Sequence, residues 1–441
     1  MSRKWKLAAY LAGYLVLVIA LAVTQPLSDP AGNRNPPDEE SRYLIPQYIC
    51  VHGELPTGLE PEVRIPGYGF SYMLYNAFPY IVMGLFMRVA GIFTSDPGVL
   101  LVTARMVNVL SGFAMAWVVY LLGGALFSRE RHRWLFRLAV TYQPMNLFVH
   151  SYVNTDSFCM LSTALIVYAL VLLYRDGAGI RVCLILAAGV ILCALSYYSA
   201  YGYIVAAAVL FAASFAVNRQ ADGGRFDRKG FLKYGAITAG LVLLGISWWF
   251  IRQGTVLGGD FLGLKTRDEM TAAYGAASVQ KSATFAGMGY SFGDMLREMI
   301  RRRLPEKMAA TLIAAYGSLT VRPPMWFYIL YALVWGTGLA GCLEGRIRMA
   351  LQGEKRSLKW HLFMGGMIFC ILMPLILFLR YCYTIDYQEQ GRYLLPALVP
   401  AMLFVVKGIG RFPRWVSVAG GAVIVFCAGW QVFAVALPAF L

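Results

Sequence analysis

Three short stretches hold ionisable residues in places where they could do chemistry. The first is Asn35-Pro-Pro-Asp38-Glu39-Glu40-Ser41-Arg42-Tyr43. Proline is favoured at a helix start, and the positive helix end favours carboxylates in the first turn. An acidic helix start on a surface loop is the plain reading; a general base is the functional one. The second is His150-Ser-Tyr-Val-Asn154-Thr-Asp156-Ser, set between two apolar runs where an ionisable side chain is costly to hold. Asn154 or Asp156 capping the next helix is the plain alternative there. The third is Asp386-Tyr-Gln388-Glu-Gln390-Gly391-Arg392-Tyr393-Leu-Leu-Pro396, with Arg392 at the mouth of an apolar run. Arg392 is either an interfacial anchor beside an aromatic or a planar fork for phosphate or sugar hydroxyls.

Further cations bear on the same question. Arg105 lies inside an apolar run, roughly 9 Å along a helix. It either snorkels to the surface or faces a polar cavity. Arg301-Arg302-Arg303, Lys307 and Arg322 add positive charge between apolar runs, which reads first as a solvated or headgroup-facing surface. A carboxylate that can take a proton, beside guanidiniums that can hold a phosphate, supplies the parts of a group transfer. The carboxylate would act as base on an acceptor hydroxyl, and the cations would stabilise charge developing on a phosphate leaving group. The motifs GxxxxGK[ST] and HExxH are absent.

The elements that must position these residues are apolar. Of the 441 residues, 59% are hydrophobic and 14% charged, against about 45–50% and about 25% in soluble domains. This excludes a soluble enzyme, a disordered chain and a nucleic-acid-binding domain, although the net charge is +16. Apolar runs long enough to span are 7–25, 99–127, 134–150, 156–174, 182–199, 202–217, 231–251, 325–343, 362–379, 394–410 and 415–438. The expectation is an all-α polytopic membrane protein, a single transmembrane domain over 1–441 with about eleven spans. The run 70–93 holds Pro79 and Arg88. Treating it as an interfacial helix puts most Lys and Arg on the side of the N-terminus, as the positive-inside rule requires. The N-terminus is then cytoplasmic, its first run a retained signal anchor, and 26–98 and 252–324 are long outer loops. Long outer and short inner loops put the chemistry on the extracytoplasmic face of the plasma membrane. Cys50 and Cys382 could meet on that face, but the eight cysteines form neither a zinc pattern nor a disulfide framework.

The residues in this order resemble the GT-C superfamily, polytopic glycosyltransferases that use sugars carried on polyprenyl or dolichyl phosphate. PPDEESRY after the first span is similar to a motif of the protein O-mannosyltransferase and aminoarabinose-transferase branch, and Asn154-Thr-Asp156-Ser157 matches the fold's second acidic site. Ser247-Trp-Trp-Phe-Ile-Arg252-Gln253 with Gly258-Gly-Asp-Phe-Leu-Gly263 resembles that group's PWYLRN…GDPLG stretch, with Gln253 for Asn and Ser247 for Pro. Tyr316-Gly-Ser-Leu, Pro323-Pro-Met-Trp326 and QGRYLLP resemble a bacterial membrane-protein branch of the superfamily. The resemblance implies a GT-C-like bundle with amphipathic helices in the first outer loop; unlike the oligosaccharyltransferases and several mannosyltransferases, the chain is expected to have no large soluble C-terminal domain. It implies an inverting transfer, with Asp38 as base, Glu39 as its neighbour or replacement, and Asp156 either in support of the acceptor or, as in the oligosaccharyltransferase branch, helping to hold a divalent metal. Arg105 and Arg392, with Gln390, Arg322 and Arg301, would bind the donor phosphate or sugar. Arg42, Tyr43, His52, Asn154 and Tyr393 would contact the acceptor or support the site. The expected donor is a polyprenyl-phosphate sugar, and the acceptor a glycan, lipid or protein. The partners are membrane lipids and no nucleic acid. A divalent metal is possible but not favoured, because the monosaccharide branch generally needs none. The competing readings are a transporter or flippase of a lipid-linked glycan, and a non-catalytic assembly subunit. Charges gathered at one boundary rather than at mid-membrane favour the transferase.

Overall fold

The computed structural model describes residues 2–220, 226–352 and 357–441. Parts of the basic stretches 218–233 and 344–361, which the expected topology puts on the inner face, lie outside the described residues. The chain order is α1 (Arg3–Thr24), α2 (Glu39–His52), α3 (Phe78–Ala90), α4 (Pro97–Leu126), α5 (Glu130–Thr141), α6 (Pro144–Val149), α7 (Asp156–Asp176), α8 (Ile180–Ser196) and α9 (Tyr201–Gln220). It continues with α10 (Arg228–Val256), α11 (Leu264–Tyr274), α12 (Phe292–Arg301), α13 (Leu304–Ile313), α14 (Met325–Leu351), α15 (Leu358–Thr384), α16 (Leu398–Ile409), α17 (Arg414–Trp430) and α18 (Leu437–Phe440). Among the described residues the only β pairing is an isolated bridge between Tyr316 and Val321. The architecture is the expected all-α polytopic bundle.

Nine helices among the described residues are long and apolar enough to cross a membrane. They coincide with nine of the eleven expected runs. The other two differ for local reasons. The run 134–150 is not one helix, because α5 stops at Thr141 and α6 begins at Pro144. Proline has no N–H to continue a helix and disfavours helical backbone in the residue before it. The Gln143 side chain takes over, accepting from the Asn146 N–H at 2.6 Å. The run 182–199 yields α8, 17 residues long, or about 26 Å. It ends where Tyr197 turns extended. The helix α3 has 13 residues, about 20 Å, too short for a bilayer core of about 30 Å. It buries Tyr80, Met83 and Met87 while Leu85, Phe86 and Val89 stay exposed. That is the amphipathic character expected of an interfacial helix.

The helix α7 is the hub. Its most apolar window is 94% buried, against 6% for α10 at the rim. It packs on α4, α8 and α9. The pair α14–α16 is as close as small residues allow: a Cβ on Gly341 would meet the Gly408 carbonyl oxygen at 2.4 Å. Bilayers offer no hydrophobic drive between helices, so such backbone approach is what gains dispersion contact. A large apolar core surrounds α1, α4–α9 and α16, and a second cluster joins α2 and α3 to α4. All eight cysteines are free, so Cys50 and Cys382 do not pair.

Candidate active site

The loop before α2 is fastened from across the chain. The Tyr316–Val321 turn holds it: Ser318 N–H donates to the Asn33 carbonyl at 3.1 Å and Ser318 Oγ to the Asn35 carbonyl at 3.1 Å. The turn is itself anchored by Tyr316, which donates to the Pro144 carbonyl at 2.8 Å and stacks on Phe148 at 4.6 Å. The chain then enters α2 through Asp38 at φ 61°. Left-handed backbone is uncommon for a non-glycine residue, and Asp tolerates it better than most. Asp38 sits at the N-cap position, yet its side chain makes no cap hydrogen bond. Its carboxylate is 40% exposed and turned elsewhere.

Two guanidiniums hold it. Arg392 Nη2 donates to Asp38 Oδ2 at 2.8 Å, and Arg42 Nη2 reaches the same oxygen at 3.4 Å. No donor among the described residues reaches Oδ1. Arg392, 1% exposed, also donates to the Tyr152 hydroxyl at 2.7 Å. Arg42 reaches on to Asp156 Oδ2 at 3.5 Å, so one guanidinium bridges the two acidic motifs. Burial opposes charge on Asp38, but Arg392 and Arg42 together outweigh it and hold the carboxyl below the usual carboxylate range. Arg392 is placed by Gly391, where the chain touches α13. A Cβ on Gly391 would lie 2.0 Å from the Met308 carbonyl oxygen, and the Gly391 N–H donates to Thr311 Oγ1 at 2.6 Å.

Glu39, one residue on, has a different environment. It is fully buried and accepts from Arg105 Nε at 2.9 Å, from Arg105 Nη2 at 2.6 Å and from the Val153 N–H at 2.7 Å. The remaining Arg105 Nη1 donates to the Ala22 and Gln25 carbonyls. This clamp ties α1, α2, α4 and the turn before α7 together. Reading Arg105 as a donor-binding cation, or Glu39 as a base, gives way to a structural role, because both groups are spent on each other.

Asp38 and Arg42 lie on the wall of a cavity of about 410 Å³. Ten aromatic side chains line it, among them Tyr72, Tyr197 and Tyr393, and Arg267, Arg380 and Asp386 add charge. A second cavity of about 360 Å³ shares Tyr68, Tyr381 and Asp386 with the first and extends past Asp268, Gln280 and Lys281. The two form one cleft, with Asp386 at the junction. Burial, with the nearby charge of Asp38 adding to it, raises the Asp386 carboxyl above its ordinary value against the bond from Gln388.

Of the residues expected from sequence, Asp38, Arg42, Asp156, Arg392 and Tyr393 come together. Gln390 stands beside them, donating to Gln388 Oε1 at 3.0 Å. Asn154 caps α7, accepting from the Ser157 N–H at 3.1 Å. Tyr43 is buried in the cluster between α2, α3 and α4. Three others lie away from the cavity: Arg301 is exposed and paired to Glu298, Arg322 is exposed and donates to the Leu319 carbonyl, and His52 is exposed and paired to Glu62. Their long-range place could not be read from charge alone. The sequence reading missed Tyr72, Tyr197, Arg267 and Arg380, and it gave Asp386 no role although it opens the third stretch. For Tyr72 the local signal is the tyrosine density of Tyr68-Gly-Phe-Ser-Tyr72-Met-Leu-Tyr75, most of which lies in the apolar run 70–93. Among the described residues no three His, Cys, Asp or Glu side chains gather as metal ligands.

The comparisons with known proteins agree with this architecture. The chain belongs to the family described as "Predicted membrane protein (DUF2142)", whose model matches residues 61–401. No curated protein matches it. Among solved structures it is similar to the Archaeoglobus fulgidus oligosaccharyltransferase in its apo form, with TM-score 0.54 and 13% identity over 99% of this chain. The same archaeal enzyme, AglB, in complex with an inhibitory peptide and a dolichol-phosphate, gives TM-score 0.52 at 13% identity over 99% of this chain. ArnT from Cupriavidus metallidurans, bound to undecaprenyl phosphate, gives TM-score 0.51 and 12% identity over 93% of this chain. The chain spans 56% of the length of AglB in both structures and 61% of ArnT. The fold is therefore the GT-C-like membrane fold that the sequence motifs resemble.

Proposed function

We propose that the chain is an inverting membrane glycosyltransferase that moves a sugar from a polyprenyl-phosphate donor to an acceptor hydroxyl on the extracytoplasmic face. The observation that supports it most is Asp38: an ionised carboxylate in left-handed backbone on the cavity wall, with Oδ2 held by Arg392 and Arg42 and Oδ1 free. A residue held in sparsely populated backbone by fixed partners is characteristic of a functional site. The acceptor hydroxyl donates to Oδ1. Its oxygen bonds to the anomeric carbon while the bond from that carbon to the phosphate oxygen breaks. The proton passes to Asp38, the bonding pair leaves on the polyprenyl phosphate, and the anomeric configuration inverts. The tyrosine walls offer flat apolar faces and hydroxyls to the sugar. The second cavity, opening from the same junction, gives the acceptor its own approach.

No divalent metal enters this scheme, because the residues do not fit one. The place between Asp38 and Asp156 is taken by the Arg42 guanidinium, at 3.4 and 3.5 Å. Turnover is therefore expected to survive exhaustive chelation. The test of the whole reading is the release of undecaprenyl phosphate from a panel of undecaprenyl-phosphate monosaccharides, with envelope glycans as acceptors, followed by mass spectrometry. Asp38→Asn should lower turnover by about 10²–10⁴-fold, the usual worth of a general base. Turnover in that variant at the wild-type rate would overturn the proposal and leave a transporter or an assembly subunit.

A further inference from the structure

We infer that Arg380 is the residue that captures the donor's phosphate, and that the donor reaches it sideways from the bilayer along α15. This rests on the glycosyltransferase reading and names the part of the site that takes the lipid. The first observation is charge. Arg42 is divided between Asp38 and Asp156, Arg392 between Asp38 and Tyr152, and Arg267 between Asp268 and Tyr75. Around the base, two carboxylates thus face two guanidiniums and cancel. Arg380 is exposed, lines the same cavity, and makes no side-chain hydrogen bond or ion pair among the described residues. It is the cavity cation left with charge to give.

The second observation is register. Ile368, Leu372 and Ile376 are 42%, 47% and 53% exposed on α15. They precede Arg380 at steps of four, a continuous row that winds about 120° around the helix from Ile368 to Arg380. This apolar stripe is about 18 Å long and ends in a guanidinium. Leu377 and Phe378, next to it, belong to the cavity wall. A ligand with a long apolar chain and a phosphate head matches both halves: the chain lies along the stripe in the lipid, and the head stops at Arg380. A soluble phosphate would use the charge but have no use for the stripe. A guanidinium at the end of a spanning helix is also a common headgroup anchor, so that role has to be separated by measurement.

The experiment is binding to the full chain in phosphatidylcholine nanodiscs, for wild type, Arg380→Ala, Arg380→Lys and Asp38→Asn. The probes are undecaprenyl phosphate, undecaprenol, phosphatidylglycerol and inorganic phosphate. Arg380→Ala is expected to weaken undecaprenyl phosphate about 10–100-fold, the worth of a charge-assisted bond. Undecaprenol should be unaffected, Arg380→Lys intermediate, and Asp38→Asn near wild type. Equal affinity in Arg380→Ala would overturn the assignment while leaving Asp38 in place. Phosphatidylglycerol binding as tightly and with the same loss would make Arg380 a headgroup anchor. Competition by inorganic phosphate at the same concentration would remove the lipid from the proposal. Absence of undecaprenyl phosphate binding to the wild type would overturn the donor reading itself.

Discussion

Asp38 and Glu39 are adjacent carboxylates, and the structure predicts opposite consequences from neutralising them. In Glu39→Gln one oxygen can still accept from Arg105 Nε and the Val153 N–H. The new amide then faces Arg105 Nη2 across what was a 2.6 Å bond, donor against donor. One charge-assisted bond is lost, about 1.5–3 kcal/mol. In addition a guanidinium that is 1% exposed loses its counter-charge. Breaking one partner of a buried pair costs about 3–5 kcal/mol, and the surviving acceptor puts Glu39→Gln at the lower end, about 3 kcal/mol. In Asp38→Asn the amide oxygen still accepts from Arg392, and Asn is tolerated in left-handed backbone. The cost is the difference between a charged and a neutral bond, about 1 kcal/mol. The assays are the thermal midpoint in one detergent and the turnover per folded molecule. Glu39→Gln should lose several degrees and keep turnover within about tenfold, while Asp38→Asn keeps its midpoint and loses the general base, about 10²–10⁴-fold. If Glu39→Gln loses turnover at an unchanged midpoint, the clamp is wrong and the base has been placed one residue out.

Gly391→Ala should separate the Arg392 turn from α13, since its Cβ has 2.0 Å to the Met308 carbonyl oxygen and 2.5 Å to Leu312 N. Overpacking of this kind costs about 1–3 kcal/mol, and turnover should fall with it; wild-type turnover would mean that Arg392 is not positioned by this contact. Asp38 is held below the usual carboxylate range, so kcat/KM should stay flat as pH falls into that range and decline only beneath it. An acid limb above the range would exclude Asp38 as the base. Asp386 has the opposite sign: its folded pKa is raised, so its ionised form destabilises the fold at neutral pH and the penalty disappears on acidification. Asp386→Asn should therefore raise the thermal midpoint at pH 7, with the gain vanishing as pH falls to the carboxylate range. Chelation should leave wild-type turnover unchanged, and loss of activity restored by added divalent cation would show that Arg42 yields its place.

The spans were legible because a bilayer demands long apolar runs, and few other constraints leave so plain a mark. The break at Thr141–Pro144 was not, because the residues on both sides are apolar and belong equally to one run or two. Asp38, Asp156 and Arg392 stood out as charges at the edges of apolar segments. What could not be read was division of labour between neighbours. Glu39 is spent on Arg105, 66 residues away, and such pairing has no local signature. The same holds for Arg42, which looked like part of an acidic helix and turns out to bridge two motifs. Arg380 lies just beyond the apolar run 362–379, and only the continuation of α15 to Thr384 shows that it stands on a helix.

Under the proposed reaction, the bridging guanidinium bears on the kind of catalysis the site performs. A divalent cation between two carboxylates acts as a Lewis acid and can polarise an oxygen directly. A guanidinium cannot: it offers charge and a fixed fork of N–H donors, and it stays protonated at every relevant pH. Here two forks fix one oxygen of Asp38 and leave the other open. That arrangement keeps the base ionised and aimed, but it weakens its basicity. Proton transfer to such a base is favourable only once the acceptor oxygen has begun to bond to the anomeric carbon and its own proton has become acidic. On that proposal, the site is matched to a transition state with the glycosidic bond to phosphate already largely broken. In that state the leaving group carries most of the charge, and a cation at its side contributes most there. The proposed phosphate-capturing Arg380, exposed on the cavity wall, would supply that contribution.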